Sequence, residues 1–306
     1  MIIPKLQRIG VSALIAAMCA GCTARPPVSV PLPPSACALA IDHATGAIAS
    51  QPFTVTDGRI YVKAMVNDQG PFAFAIDTGA SGMGRSDASL TKILTLPKSG
   101  AAQSSDGISN AAVDTVRINT LDVGGLVRRD LDIITRDYNS RMAPESAISG
   151  IIGRDFFADG LLIIDYPSRT VSFRRDRTLG TDLAGTLPYD RPFRVPMTIG
   201  TVATTGNLDT GANINFVIPR VLFDQLDATP PETAAEATLT NNRIATERAT
   251  VKGPFQLGDI SVSDVTVRVS DRFPEVLVGS YFLQNYIILI DQRSKRVAIC
   301  DGKHRP

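Results

Sequence analysis

The chain contains the tetrapeptide Asp-Thr-Gly-Ala twice, at Asp77-Thr78-Gly79-Ala80 and at Asp209-Thr210-Gly211-Ala212. Each copy follows a strand-like segment, so each aspartate is expected at the end of a strand. Two carboxyl groups that are held together cannot both ionise easily, and they therefore share a proton. One of them then acts as a general base toward water and the other as a general acid toward a carbonyl group. Asp77 and Asp209 are therefore our candidate catalytic pair.

The two tetrapeptides belong to a longer internal repeat. When Asp77 is aligned with Asp209, four later landmarks recur in the same order at nearly equal spacing. They are a glycine, an apolar pair followed by glycine, an apolar strand that ends in aspartate, and a last strand. The matched landmarks are Gly124 and Gly258, Ile151-Ile152-Gly153 and Leu277-Val278-Gly279, Asp165 and Asp291, and segments 170–173 and 296–299. The repeat predicts two halves of similar plan, each with one carboxylate.

The pattern of residues between these landmarks predicts a mainly β fold. Segment 60–66 alternates apolar and polar residues, as a half-buried strand does, and a turn at 67–71 leads to a second strand at 72–76. The second half repeats this hairpin. Short helices are expected at four places, which are segments 86–94 and 219–226 and the positions just after Gly153 and Gly279. The predicted fold class is all-β with short helices, arranged as two lobes.

Composition disfavours several classes of function. Hydrophobic residues make up 44% of the 306 residues and charged residues 20%, which is enough to bury a core. The 31 Lys and Arg residues balance 30 Asp and Glu residues, so charge gives no support for nucleic-acid binding. The chain has only two histidines, His43 and His304, and neither lies in a motif. A Ser-His-Asp triad, a Cys-His pair and a His-rich zinc site are therefore disfavoured.

Residues 1–22 predict an export signal. A basic start is followed by an apolar run at 9–20, which is short for a transmembrane helix. The run ends at Cys19-Ala20-Gly21-Cys22, which favours a bacterial lipoprotein signal with Cys22 as the lipidated residue. An ordinary secretory signal is the alternative. Either way we expect the protein in the bacterial cell envelope, on the periplasmic side, or secreted.

Residues 23–50 are expected to form a proline-rich tether and an N-terminal segment. The segment at 35–55 is either a propeptide or an extra strand.

The duplicated motifs resemble those of the aspartic peptidases. In that family each lobe carries a hydrophobic residue followed by Asp-Thr/Ser-Gly, and later two hydrophobic residues followed by glycine. The matching residues here are Ile76-Asp77-Thr78-Gly79 with Ile151-Ile152-Gly153, and Leu208-Asp209-Thr210-Gly211 with Leu277-Val278-Gly279. The resemblance covers residues 55–300. It is closer to retropepsin-like bacterial domains than to pepsin, because the lobes are short and alanine follows both motifs. Retropepsins pair two chains, whereas here one chain supplies both lobes.

The resemblance implies a role for each matched residue. Asp77 and Asp209 would hold the lytic water between them. Thr78 and Thr210 would interlock across the lobe boundary, and Gly79 and Gly211 would allow tight turns. The residues that would pack behind these loops are Ile152, Gly153, Val278 and Gly279. Flaps over the substrate are expected near 100–110 and 238–245.

The family also implies an architecture and a set of partners. Residues 51–182 and 183–300 would form the first and second lobes, with the active site between them. The expected activity is that of an aspartic endopeptidase on an extended peptide or protein substrate. No metal or other cofactor and no nucleic acid is expected, contact with the membrane would be limited to the lipid anchor, and the protein would be a monomer. The rival hypothesis is an inactive envelope protein that keeps the fold to bind peptides or other ligands.

Cys37 and Cys300 are the cysteines left once Cys19 and Cys22 are assigned to the signal. Export would place them where thiols oxidise. In the resembled fold the chain ends meet in a sheet beneath the lobes, which implies a disulfide between them. Two separate thiols are the alternative.

Overall fold

The architecture comes from a computed structural model that describes residues 33–41 and 43–302. The expected signal at 1–22 and its candidate lipidation residue Cys22 lie outside the described residues. Among the described residues, no helix has the length and apolar character needed to cross a membrane.

The first half of the described chain consists of eleven strands and a short helix, α1 (Ala88–Ile93). The strands are β1 (Ala49–Pro52), β2 (Thr54–Thr56), β3 (Arg59–Val66), β4 (Gln69–Asp77), β5 (Gly84–Asp87), β6 (Lys98–Ser105), β7 (Asn110–Val123), β8 (Leu126–Arg136), β9 (Gly150–Gly153), β10 (Leu161–Asp165) and β11 (Thr170–Arg174). Short 3₁₀ helices lie at Ala36–Ala40, Asn139–Arg141, Pro144–Ser146 and Arg154–Phe157.

The second half repeats this plan with fourteen strands and two short helices, α2 (Arg220–Phe223) and α3 (Ser280–Leu283). The strands are β12 (Thr186–Pro188), β13 (Arg194–Ile199), β14 (Val202–Asp209), β15 (Phe216–Pro219), β16 (Glu232–Thr233), β17 (Ala237–Thr238), β18 (Arg243–Ile244), β19 (Glu247–Val251), β20 (Phe255–Leu257), β21 (Ile260–Val262), β22 (Val265–Ser270), β23 (Val276–Gly279), β24 (Tyr286–Asp291) and β25 (Arg296–Asp301). The all-β prediction is therefore confirmed.

Each half builds its own large sheet, and a third sheet joins the halves. The first-half sheet has the order β2-β3-β4-β9-β5-β8-β7-β6, and the second-half sheet has the order β16-β19-β22-β15-β23-β14-β13-β20-β21. The joining sheet has the order β1-β11-β10-β24-β25-β12. Its central pair is β10 with β24, one strand from each half in antiparallel register. Hydrogen bonds between β-strands therefore connect the halves.

The repeat in the sequence appears as an equivalent strand pairing in both halves. Strand β4 runs parallel to β9, which places Asp77 beside Gly153. Strand β14 runs parallel to β23, which places Asp209 beside Gly279. The apolar residues before each aspartate lie in the core, where Ile76 is 1% exposed and Leu208 is 1% exposed. Burial of these strands therefore fixes both aspartates at equivalent strand ends.

The N-terminal segment covers one face of the joining sheet. Leu161 and Ile163 of β10 pack there against Ala36 and Ala40 from the first 3₁₀ helix. Cys37 of the same helix forms a disulfide with Cys300 of β25. Further along, β1 pairs with β11 at the sheet edge. Residues 49–52 thus form an extra strand at the edge of the joining sheet.

Candidate active site

Asp77 and Asp209 lie side by side, each packed against the glycine of the other motif. A methyl group added at Gly79 would lie 2.5 Å from Asp209 Oδ2, and one added at Gly211 would lie 2.5 Å from Asp77 Oδ2. These distances are too short for any side chain, so only glycine fits at either position. The two glycines therefore make room for two carboxyl groups from different halves to meet. We call Asp77 and Asp209 the carboxyl pair.

Thr78 and Thr210 lock the two loops together through four hydrogen bonds. The Thr78 hydroxyl donates to the Leu208 carbonyl at 3.1 Å and accepts from the Thr210 amide at 3.0 Å. The Thr210 hydroxyl donates to the Ile76 carbonyl at 2.8 Å and accepts from the Thr78 amide at 3.1 Å. Both threonines are buried, at 2% and 1% exposure. Each hydroxyl thus satisfies two backbone groups of the other half, which holds the carboxyl pair in register.

Backbone amides and burial act on the carboxyl pair in opposite directions. The Ala80 amide donates to Asp77 Oδ1 at 2.9 Å, and the Gly211 amide donates to Asp209 Oδ1 at 2.8 Å. Such donors favour the ionised form. Burial and then the neighbouring charge of Asp77 have the larger effect on Asp209, and they raise its pKa to about 7. The pair therefore retains a proton up to near-neutral pH.

Gly153 and Gly279 support the two loops from behind. The Arg154 amide, directly after Gly153, donates to the Ala80 carbonyl at 3.0 Å, and the Ser280 amide, directly after Gly279, donates to the Ala212 carbonyl at 2.7 Å. A side chain at either glycine would collide with backbone carbonyls of these loops.

Ile152 and Val278, which precede the two glycines, are fully buried. Their positions are those of packing residues behind the motif loops.

Two arginines that the sequence did not single out also hold the motif loops. Arg154 Nη1 donates to the Gly79 carbonyl at 3.0 Å. Arg59 Nε donates to the Gly211 carbonyl at 2.9 Å, across the boundary between the halves. The position of Arg154 just after Ile151-Ile152-Gly153 was an available signal. Nothing in the sequence near Arg59 indicates its distant partner.

Two hairpins, one from each half, meet at their tips. Asn241, in the β17–β18 turn, donates from its backbone amide to Asp106 Oδ2 at 3.0 Å. Its side-chain amide donates to the Ser104 and Ser109 carbonyls at 3.0 and 3.1 Å, at the β6–β7 turn. Arg136 donates to Asn241 Oδ1 at 2.8 Å. These turns lie within the segments expected to form flaps, and in this structure they are joined.

A buried Ser-His-Asp arrangement lies elsewhere, in the joining sheet. His43 Nδ1 is 2.8 Å from Ser172 Oγ, and His43 Nε2 is 3.2 Å from Asp165 Oδ2. Ser172 is 1% exposed and Asp165 is fully buried, so the three side chains form a buried polar network. This arrangement crosslinks strands and the N-terminal segment. It was missed because an isolated histidine gives no sequence signal.

Within residues 33–41 and 43–302, no three His, Cys, Asp or Glu side chains come together as a group that could hold a metal ion.

Comparison with known protein families agrees with this geometry. Residues 62–156 and 195–282 match the sequence profile of a family described as aspartyl protease. The two matched segments contain one Asp-Thr-Gly motif each and together cover more than half of the chain. No curated protein matches the chain at a significant level. The duplicated match shows that the chain belongs to the aspartyl protease family.

Proposed function

We propose that this protein is an aspartic endopeptidase that hydrolyses peptide bonds with a water molecule activated by Asp77 and Asp209. The observation that carries the proposal is the meeting of two carboxyl groups from equivalent loops, with the pKa of Asp209 raised to about 7. A pair that shares one proton contains both a base and an acid at the same place.

The proposed reaction needs only these two groups and water. The ionised carboxylate accepts a proton from the water as its oxygen attacks the peptide carbonyl carbon. The protonated carboxyl donates its proton to the carbonyl oxygen, and a tetrahedral diol results. The carboxyl group that took the proton of the water then protonates the peptide nitrogen, and the other carboxylate accepts a proton from one diol hydroxyl. The carbonyl re-forms, the C–N bond breaks, and an acid and an amine are released. The threonine interlock keeps the carboxyl groups in place through these steps.

The substrate is proposed to be an extended peptide or protein segment lying across both halves. A peptide in extended form is recognised through main-chain hydrogen bonds and side-chain pockets, which is the mode of binding we propose. Because both motifs lie on one chain, the protein is proposed to act as a monomer. The reaction uses no metal or other cofactor.

The rival function is a peptide-binding or ligand-binding protein that keeps the fold without activity. Both aspartates and both threonines are present, which favours the enzyme. Placing two carboxyl groups side by side in a partly buried site costs free energy, and a binding protein gains nothing evident from it.

We further propose that the protein works in the bacterial cell envelope, on the periplasmic side. The basis is the signal-like sequence at 1–22, with Cys22 as the lipidated residue. The disulfide between Cys37 and Cys300 is consistent with an oxidising compartment.

Cleavage of a peptide library tests the activity directly. The protein without residues 1–22 is incubated with the library, with and without a statine-type inhibitor that mimics the tetrahedral diol. Cleavage that the inhibitor blocks, and that Asp77→Asn and Asp209→Asn abolish, supports the proposal. Peptide binding without cleavage would favour the rival function, and cleavage that survives in either variant would exclude the carboxyl pair as the catalyst.

A further inference from the structure

Arg85, on strand β5, is a buried cation without a counter-charge. The residue is 6% exposed, and its Nε has no hydrogen-bond partner. No ion pair among the described residues includes it. Arginine is rarely buried unless it is paired, because its desolvation is costly. The Arg85 guanidinium therefore has no negatively charged partner among the described residues.

The nearest acid in sequence does not supply that anion. Asp87, two residues along the same strand, accepts hydrogen bonds from the Ser89 amide and hydroxyl at 2.8 and 2.6 Å. Its other oxygen accepts from the Tyr138 and Asn139 amides at 2.9 and 3.3 Å. Asp87 is thus fully engaged in capping α1 and in holding the segment that follows β8.

The strand register places Arg85 on the same face of the sheet as Asp77. Arg85 pairs with Ile151 on β9, and Ile151 pairs with Ala75 on β4. Ala75 precedes Asp77 by two residues, so both point to one face. Gly84, the neighbour of Arg85, faces the opposite side, where an added side chain would meet Leu121 in the main core. From strand spacing and rise, the Cα atoms of Arg85 and Asp77 are about 12 Å apart.

Tyr138 lies close to Arg85. It packs against the apolar cluster on this face that includes Ala80 and Ile151, and its hydroxyl is buried beside the Arg85 guanidinium. Burial raises the pKa of the Tyr138 hydroxyl, the Arg85 guanidinium lowers it, and the charge of Asp77 raises it. The hydroxyl is therefore close to both groups. A second cation, Arg136, lies over the Tyr138 ring at 5.7 Å.

From these contacts we propose that Arg85 and Tyr138 form a substrate subsite that takes a carboxylate side chain, Glu or Asp, near the bond to be cleaved. The inference rests on the proposed peptidase activity and adds a substrate class to it. The planar guanidinium suits a carboxylate, which accepts two parallel hydrogen bonds, and the Tyr138 hydroxyl supplies a third donor. An uncharged side chain would leave these donors unpaired. Since a peptide in extended form advances about 3.4 Å per residue, the acid lies within about three residues of the scissile bond.

The test compares matched peptides at pH 6, where a glutamate side chain is charged. Starting from one neutral peptide that the enzyme cleaves, each position up to three residues on either side of the cleaved bond is made Glu or Gln in turn. We expect one position at which Glu raises kcat/KM about ten- to hundredfold over Gln, the range expected for a hydrogen bond to a charged group. Equal cleavage of every Glu and Gln pair would refute the subsite.

Variants then assign the preference to Arg85. Arg85→Gln should remove the preference for Glu, so that the ratio of kcat/KM between the matched Glu and Gln peptides falls to about one. Arg85→Lys should retain part of the preference for Glu, since lysine keeps the positive charge but cannot form two parallel hydrogen bonds to a carboxylate. Arg129→Gln is the control, because it removes the same charge at an exposed position on β8. This variant should retain the full preference for Glu. A preference that persists in a folded Arg85→Gln protein would overturn the assignment.

Two failures are distinguishable in this design. If the wild-type protein cleaves no peptide, the proposed function fails. If it cleaves peptides without any preference for Glu, the peptidase stands and only the subsite fails. If Arg85→Gln does not fold, Arg85→Lys supplies the test, because an undiminished preference for Glu in the folded Arg85→Lys protein would overturn the assignment.

Discussion

Replacing Asp209 by asparagine removes one charge from the carboxyl pair and keeps the size of the side chain. The asparagine oxygen can still accept the hydrogen bond from the Gly211 amide that Asp209 Oδ1 accepts at 2.8 Å. Its amide group can donate to the Asp77 carboxylate, which relieves the repulsion between two negative charges. We therefore expect Asp209→Asn to abolish peptide hydrolysis and to stabilise the folded protein at alkaline pH.

The size of this stabilisation follows from the raised pKa. Burial and the charge of Asp77 move the pKa of Asp209 from 3.8 to about 7. At 1.36 kcal/mol per pH unit this difference corresponds to about 4 kcal/mol, and partial exposure of Asp209 in the structure reduces it to about 2–4 kcal/mol. A raised folded-state pKa contributes stability that is fully present below pH 3.8 and lost as the pH rises through 7. The variant has no such titration.

The assay is urea unfolding of the wild-type and Asp209→Asn proteins at pH values from 3.5 to 8.5. The difference in free energy of unfolding should be constant at the acid end. It should then move in favour of the variant across pH 4 to 7 and level off above that range. Asp68→Asn, at an exposed turn, is the matched control and should give a flat difference. The reasoning would be refuted if the difference in free energy of unfolding between Asp209→Asn and wild type were the same at all pH values, or if the variant were less stable than wild type at pH 8.

Four further outcomes are expected. Thr78→Ala leaves the Leu208 carbonyl and the Thr210 amide unpaired, so urea unfolding should show a loss of about 2–4 kcal/mol, together with a large loss of peptide cleavage. Cys37→Ser opens a disulfide that spans 263 residues and should lower the free energy of unfolding by about 3–5 kcal/mol. Asn241→Ala removes two side-chain hydrogen bonds between the hairpin tips and a third from Arg136 at the end of β8, and hydrogen exchange should accelerate in both tips while the rest of the protein is unchanged. Peptide cleavage by the wild-type protein should persist to about pH 7 and decline above it, as the shared proton is lost, in a pH–rate profile.

Each of these outcomes has a control and a contrary result. Thr78→Ser keeps the hydroxyl and should remain close to wild type, and an equal loss in both variants would mean that the hydrogen bonds are not responsible. Adding a reductant should reproduce Cys37→Ser, and no change in stability would contradict the disulfide. Asn110→Ala, beside the first tip, should leave exchange unchanged. Cleavage confined to strongly acidic pH would contradict the raised pKa of Asp209.

The sequence predicted the centre of the site because that centre is built from duplicated local patterns. Strand, Asp-Thr-Gly loop and the later apolar-apolar-glycine segment each recur, and burial of the apolar residues fixes their side-chain direction. The short helix expected at 86–94 appears as Ala88–Ile93, and the one expected after Gly279 appears as Ser280–Leu283. These features depend on residues close together in the chain.

Residues whose partners are far away in the sequence could not be predicted in this way. Arg59 binds a carbonyl of the other half, and Asn241 binds the tip of a hairpin that lies well over a hundred residues earlier. The position of Arg85 on the same face as Asp77 follows from the strand register, which no local pattern in the sequence indicates. No periodic pattern encodes such meetings. Those of Arg59 and Asn241 depend on how the two halves are placed together, and that of Arg85 depends on the strand order within the first-half sheet.

In covalent terms, the disulfide between Cys37 and Cys300 turns the folded chain into a ring. A single backbone cut anywhere inside that ring leaves one connected molecule, so neither half can diffuse away after it. The separated ends stay at an effective concentration on the order of millimolar, at which the two halves re-pair within the same molecule. A first proteolytic cut at a surface hairpin therefore does not separate the halves. Release of a half requires a second cut or reduction of the disulfide.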